Sequence, residues 1–152
     1  MSKEPFTIRV YQDQDHSGLI ELWETCFPDD PPWNDPVEII KRKRVHQPEQ
    51  LYVCINNGNI IGSVLAGFDG FRGWINKLAT HPDYQHQGVA TLLLNTAEHA
   101  LAAMGCPKIN LQVRQENSSV VQLYENAGYE IEALISMGKL LPENTTPSIQ
   151  EW

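Results

Sequence analysis

The residues best placed to do chemistry lie in the run Pro82-Asp83-Tyr84-Gln85-His86-Gln87-Gly88-Val89-Ala90, between an alternating apolar segment that stops at His81-Pro82 and a long helical pattern. A strand-to-helix junction of this kind presents several unpaired backbone N–H groups at the positive end of a helix dipole, so it can hold a phosphate. Gly88 allows close backbone approach, and Ala90 is small enough not to obstruct it. A helix-start glycine with no ligand has the same spacing, and spacing alone leaves both readings open. The extra glycines and the Lys-Ser/Thr pair of the dinucleotide and P-loop fingerprints are missing. Tyr124, one residue past Leu123 on a short helical pattern, reads by spacing as a core aromatic.

Other chemistries are excluded by what the chain lacks. Cys26, Cys54 and Cys106 are odd in number, far apart and without a CxxC or a histidine at ligand spacing, which signals neither a disulfide framework nor a metal site. They are expected to be core thiols. With 11 Lys+Arg against 19 Asp+Glu, the net charge of -8 has the wrong sign for gripping a nucleic acid. No apolar run is long enough to span a membrane, and the opening Met-Ser-Lys-Glu-Pro is unlike a secretory signal, so a cytoplasmic protein is expected. The length of 152 residues favours a single domain, with a core over about residues 5–140 and a tail at 141–152.

The elements that must position the junction follow from periodicity. Phe6, Ile8 and Val10 alternate with polar neighbours as a strand does, and Leu19, Leu22, Trp23, Cys26 and Phe27 keep helical spacing until Pro28. Asp35 precedes Pro36 and stands three residues before Glu38, which marks the start of a second helix. Asn57-Gly58 separates two apolar segments and predicts a tight hairpin. Trp74 to Thr80 reads as a further strand, and Gly88 to Met104 as a helix with Val89, Leu92, Leu93, Ala97, Ala100, Leu101 and Met104 on one stripe. Ile109, Leu111 and Val113 alternate again, Asn117 or Ser118 caps a short helix ending at Gly128, and Tyr129 to Leu140 completes the pattern with one or two strands.

Gln85-His86-Gln87-Gly88-Val89-Ala90 resembles the Q/R-x-x-G-x-G/A motif of the GCN5-related N-acetyltransferases, and Leu78-Ala79-Thr80-His81-Pro82 is similar to the strand end that precedes it there. Asn117 followed by Leu123-Tyr124-Glu125-Asn126-Ala127-Gly128-Tyr129 resembles that family's second block, and Pro32 to Pro36 and Gly67 to Gly73 look most like its small bacterial YpeA-type members. The resemblance implies an α/β fold with a mixed, centrally splayed sheet of about six to seven strands and about four helices. It implies acetyl-CoA as co-substrate and a primary amine as acceptor. Leu78, Ala79 and Thr80 would bind the pantetheine arm through the main chain, and Gln85, His86, Gln87, Gly88, Val89 and Ala90 the pyrophosphate. Asn117 would contact the cofactor arm, and Tyr124 would protonate the departing thiolate.

The pattern departs from the family at the base. Trp74 to Thr80 carries no carboxylate, and Gln112 stands where ribosomal-protein acetyltransferases have a glutamate. The route left for the amine's proton is through water toward Asp69, Asp83 or Glu116, although each reads more readily as a solvated surface acid. Trp33, Asp35, Asp69 and Arg72 are acceptor-site candidates by their place in the family layout, although a cap, a staple and a turn explain Asp35, Trp33 and Asp69 just as well. A non-catalytic acyl-CoA-binding module is the alternative reading. The identity of the amine and the choice between monomer and homodimer are not legible in the letters.

Overall fold

The computed structural model describes residues 6–142, which form two compact units divided between Glu116 and Asn117. The first unit runs β1 (Thr7–Val10), α1 (His16–Cys26), α2 (Pro36–Lys43), β2 (Leu51–Asn56), β3 (Asn59–Phe68), β4 (Gly73–Thr80), α3 (Val89–Ala103) and β5 (Ile109–Asn110). The second holds α4 (Ser118–Asn126). Of the expected tail, only Leu141 and Pro142 fall within the described residues. No helix among the described residues is long and apolar enough to cross a membrane.

The sheet is mixed, in the order β1-β2-β3-β4-β5, antiparallel up to β4 and parallel between β4 and β5. Among the described residues it has five strands, fewer than the six to seven expected. Ile109, Leu111 and Val113 alternate as predicted, yet only Ile109 and Asn110 meet a neighbour, opposite Gly73 and Trp74. Tyr129 to Leu140 forms no strand, and Ile131, Ile135 and Met137 are 78%, 88% and 90% exposed. Alternation marks a segment able to pair, but a strand also requires a neighbour's N–H and C=O groups. Among the described residues no ladder includes residues 111–113 or 129–140.

Adjacent residues of β3 show how the helices flank the sheet. A side chain at Gly62 would meet Leu93 and Val89 of α3 at 2.9 Å, whereas the hydroxyl of the next residue, Ser63, lies 2.9 Å from the indole nitrogen of Trp23 on α1. Successive strand residues face opposite sides, so α1 and α3 cover opposite faces. On one face Leu19, Leu22, Trp23 and Ile40 pack with Leu51, Val53 and Ala79. On the other, Val89, Leu93, Leu94, Ala97 and Leu101 of α3 are buried. Leu92, assigned to the stripe by spacing, lies at its border and is 44% exposed, while Leu94 turns inward.

Local chemistry sets the connections. Asn57 and Gly58 adopt φ of 50° and 77°, the left-handed pair that a two-residue hairpin requires. The Asp35 carboxylate accepts from the Glu38 N–H at 3.2 Å and starts α2, with Pro36 in its first turn. The three cysteines are free thiols, but only Cys54 is fully buried. Cys26 and Cys106 are half-buried, because each sits at the border of the packed face and not within it.

Candidate active site

The last half of β4 is bent out of regular pairing. Ser63 pairs with Ala79 and Leu65 with Asn76, so Lys77 and Leu78 together oppose Val64 in a β-bulge. Lys77 has φ of 52°, a conformation that costs a side-chain-bearing residue about 1–3 kcal/mol. Surrounding bonds hold it there. The Ser63 hydroxyl donates to the Lys77 carbonyl at 2.8 Å and accepts from Trp23 Nε1 at 2.9 Å, which satisfies polar groups that the bulge would otherwise strand in the core. The Lys77 ammonium pairs with the Asp30 carboxylate and lies 4.2 Å from the Phe27 ring centroid. At the end of β4 the Thr80 carbonyl accepts from the Cys26 thiol at 3.5 Å, and burial raises that thiol's pKa.

This bulged strand also has an open edge. β4 pairs with β5 only at Gly73 and Trp74, and among the described residues no strand pairs with that edge from Ile75 to Thr80. Leu78 and Thr80 are half-buried and Ala79 is buried, so the sequence-predicted clamp residues lie along this edge with their side chains packed and their main chain in line.

The edge leads directly into the anion-binding candidate. The His81 imidazole Nδ1 accepts from the Asp83 N–H at 3.1 Å and starts the short turn Pro82–Tyr84, after which Gln85, His86, Gln87 and Gly88 are exposed. His86 and Gly88 have φ of 64° and 85°, and such left-handed residues within a loop turn consecutive N–H groups toward one concavity. Space around Gly88 is open, with no atom within 4 Å of where a Cβ would stand. Gly88 occupies the N-cap position of α3 without a side-chain cap. Among the described residues no bond is made by the N–H groups of Gln85 to Ala90. No Lys or Arg occurs between Lys77 and Lys108, so what this stretch itself offers an anion is amides and the helix dipole. Such a junction offers a diphosphate open space and N–H donors that have no partner among the described residues.

In the second unit, Tyr124 is buried at 8% exposure, packed edge-on to Tyr129 with ring centroids 5.6 Å apart. Burial pushes its phenol up to about 12. The Tyr124 carbonyl accepts from the N–H groups of Ala127 and Tyr129, and Gly128 adopts φ of 97° to close the helix. Asn117 is the N-cap of α4, with its carbonyl accepting from Val120 and Val121 while its side chain makes no capping bond.

The acceptor candidates separate. Trp33 is 57% exposed on the Pro32–Asn34 turn and is not stapled to the core. Asp69 and Arg72 lie in the β3–β4 turn, at the opposite end of β4 from the junction. The Asp69 carboxylate accepts from the Phe71 and Arg72 N–H groups at 2.8 Å, which lowers its pKa, and the Arg72 guanidinium stacks 4.2 Å from the Phe71 ring centroid. Sequence reasoning missed Ser63, Trp23, Asp30 and Lys77. A serine inside the apolar run Ile60 to Leu65 was the available signal, since a hydroxyl in a core strand must find a partner. Among the described residues no group of three or more His, Cys, Asp or Glu could hold a metal ion.

Residues 16–129 match the family described as Acetyltransferase (GNAT) family. An acetyltransferase of Yersinia pestis (strain Pestoides F) is 45% identical over 136 residues, which cover 88% of this chain and 94% of that protein. An acetyltransferase of Pectobacterium atrosepticum is 43% identical over 139 residues, 90% of this chain and 96% of that one. Among solved structures, aminoglycoside N-acetyltransferase AAC(6')-Iy in complex with CoA is similar with a TM-score of 0.74 at 18% identity, over 91% of this chain and 97% of that one. Ard1 from Thermoplasma volcanium gives 0.74 at 18% identity, covering 84% of each chain. At that identity the structural likeness is one of fold, whereas the family match and the closer relatives carry the kinship in sequence: the chain belongs to the GNAT family of acetyltransferases.

Proposed function

We propose that the protein moves an acetyl group from acetyl-CoA to a primary amine by direct attack of the amine. The observation that carries this reading is the open edge of β4 running into unclaimed N–H groups at the start of α3. Leu78, Ala79 and Thr80 bond the pantetheine arm through the main chain, as an added strand would be bonded. The N–H groups of Gln85, His86, Gln87, Gly88, Val89 and Ala90 hold the pyrophosphate, with His86 as an added donor. Asn117 contacts the cofactor arm. Acetyl-CoA supplies the activated acyl group, and the chain's part is to bind, orient and move protons.

Tyr124 gives its proton to the departing thiolate. A phenol pushed up to about 12 stays protonated at every working pH, so the acid is always armed. β4 carries no carboxylate to accept the amine's proton, which leaves through water. Trp33 stands on the acceptor side, and no role is given to Asp69 or Arg72.

A screen for acetyl-CoA-dependent thiol release over amines and peptide N-termini tests the reading. Tyr124→Phe is expected to lower turnover by about 100-fold or more, within the range for general acid catalysis, while acetyl-CoA affinity is retained. Binding of acetyl-CoA with no turnover on any amine would instead support the non-catalytic module.

A further inference from the structure

A cavity of about 310 Å³ opens in the first unit between the end of α1, the connection to α2, and Lys77 of β4. That volume is at the small end of small-molecule pockets, about 300–1,000 Å³. Pro28, Pro31, Pro32 and Pro36 contribute to its wall, and their fixed φ preforms its shape. Its charged lining is Glu24, Asp30 and Asp35 against the single ammonium of Lys77. Asp30 already pairs with Lys77, and its other oxygen lies 3.8 Å from Arg114. Among the described residues neither Glu24 nor Asp35 has a cationic partner. The wall also shows that it accommodates an ammonium, because the Lys77 nitrogen sits against the faces of Phe27 and Trp23, 4.2 and 5.6 Å from their ring centroids.

We infer that this cavity takes a small aliphatic diamine as the acetyl acceptor, with Glu24 and Asp35 selecting for its second positive charge. The inference rests on the function proposed above. Lys77 immediately precedes Leu78 to Thr80, so a ligand in the cavity has one end beside the clamp strand. An amine must shed its proton before it can attack, so the nitrogen that reacts offers no standing charge to a carboxylate. Glu24 and Asp35, both exposed and without a cationic partner among the described residues, can instead face a second ammonium at the far end of the acceptor, Asp35 while it caps α2 through the Glu38 N–H, with an apolar chain between to lie along the proline and aromatic walls. Lys77 is the resident cation of the site and offsets part of its negative charge.

The test compares 1,4-diaminobutane, butylamine and 4-aminobutanoate as acceptors with the full chain and acetyl-CoA. Two exposed ion pairs together are worth about a 2- to 30-fold preference, so the expected kcat/KM for the diamine is about 2- to 30-fold above the monoamine, with the amino acid lowest. Glu24→Gln and Asp35→Asn should each narrow the diamine-to-monoamine ratio through KM. Lys77→Gln should widen it, a gain that mere damage to the pocket would not produce; a thermal melt checks that each variant is folded. Equal use of diamine and monoamine, or a ratio unmoved by Glu24→Gln, overturns the inference while leaving the acetyltransferase reading intact. Absence of thiol release with every amine and peptide N-terminus overturns that reading instead.

Discussion

Replacing Ser63 by alanine removes one hydroxyl that serves two partners at once. Its oxygen accepts from the Trp23 indole at 2.9 Å and its proton goes to the Lys77 carbonyl at 2.8 Å, with Trp23 1% exposed and Ser63 fully buried. Alanine fits the space and satisfies neither group. A buried polar group left without a partner costs about 1–3 kcal/mol, so losing both bonds should cost about 2–4 kcal/mol after some relaxation. With a urea m-value of about 2 kcal/mol/M, the unfolding midpoint should fall by about 1–2 M. Trp23→Phe removes the donor but leaves Ser63 bonded to Lys77, and the double variant should show a coupling of about 0.5–3 kcal/mol, as expected for neighbours in one network. Because the relay holds the bulge that introduces Leu78 to Thr80, the Ser63→Ala protein should also bind acetyl-CoA more weakly under conditions where it is folded. A loss of stability below about 0.5 kcal/mol would refute the claim that this relay holds the bulge.

Three further outcomes follow from the same structure. Gly62→Ala places a methyl 2.9 Å from Leu93 and Val89 and 3.2 Å from the Ala79 carbonyl, so it should destabilise by about 1–3 kcal/mol in urea unfolding. Acetyl-CoA affinity should change little between low and moderate salt, since Gln85 to Ala90 offers amides and carries no Lys or Arg; calorimetric titration showing a many-fold loss would count against this. Burial pushes the Cys54 thiol up to about 11, whereas the unfolded thiol titrates near its ordinary 9.0, so the unfolded chain binds fewer protons between those values. This contribution to stability is complete below pH 9 and is lost as pH rises through 11, and Cys54→Ala should flatten the decline that unfolding midpoints measured from pH 8 to 11 would show.

Much of the framework was legible because its signals are local. Asn57-Gly58 favours positive φ at adjacent positions, Asp35-Pro36 combines a cap with a preset φ, and the recurrence of Val89, Leu93, Ala97 and Leu101 at every fourth residue has one helical solution. The junction from Gln85 to Ala90 was found for the same reason, since a strand end, a glycine and a helix start occur together in one short run. What escaped depends on contacts distant in sequence. Lys77 carries no letter that announces φ of 52°, and it adopts that value because Ser63 and Asp30 bond to it and Trp23 bonds to Ser63, all of them far from it along the chain. The pattern from Tyr129 to Leu140 misled in the opposite direction: alternation at Ile131, Ala133 and Ile135 describes a capacity to pair, and pairing belongs to the neighbour as much as to the segment.

Residue-resolved amide NMR of the uniformly labelled protein, titrated with acetyl-CoA, bears on the central claim most directly. The account predicts that the largest amide shifts fall on Gln85 to Ala90 and on Leu78 to Thr80, because those main-chain groups are the ones that take the ligand. Saturation with acetyl-CoA that leaves the Gln85 to Ala90 amides unmoved would contradict it.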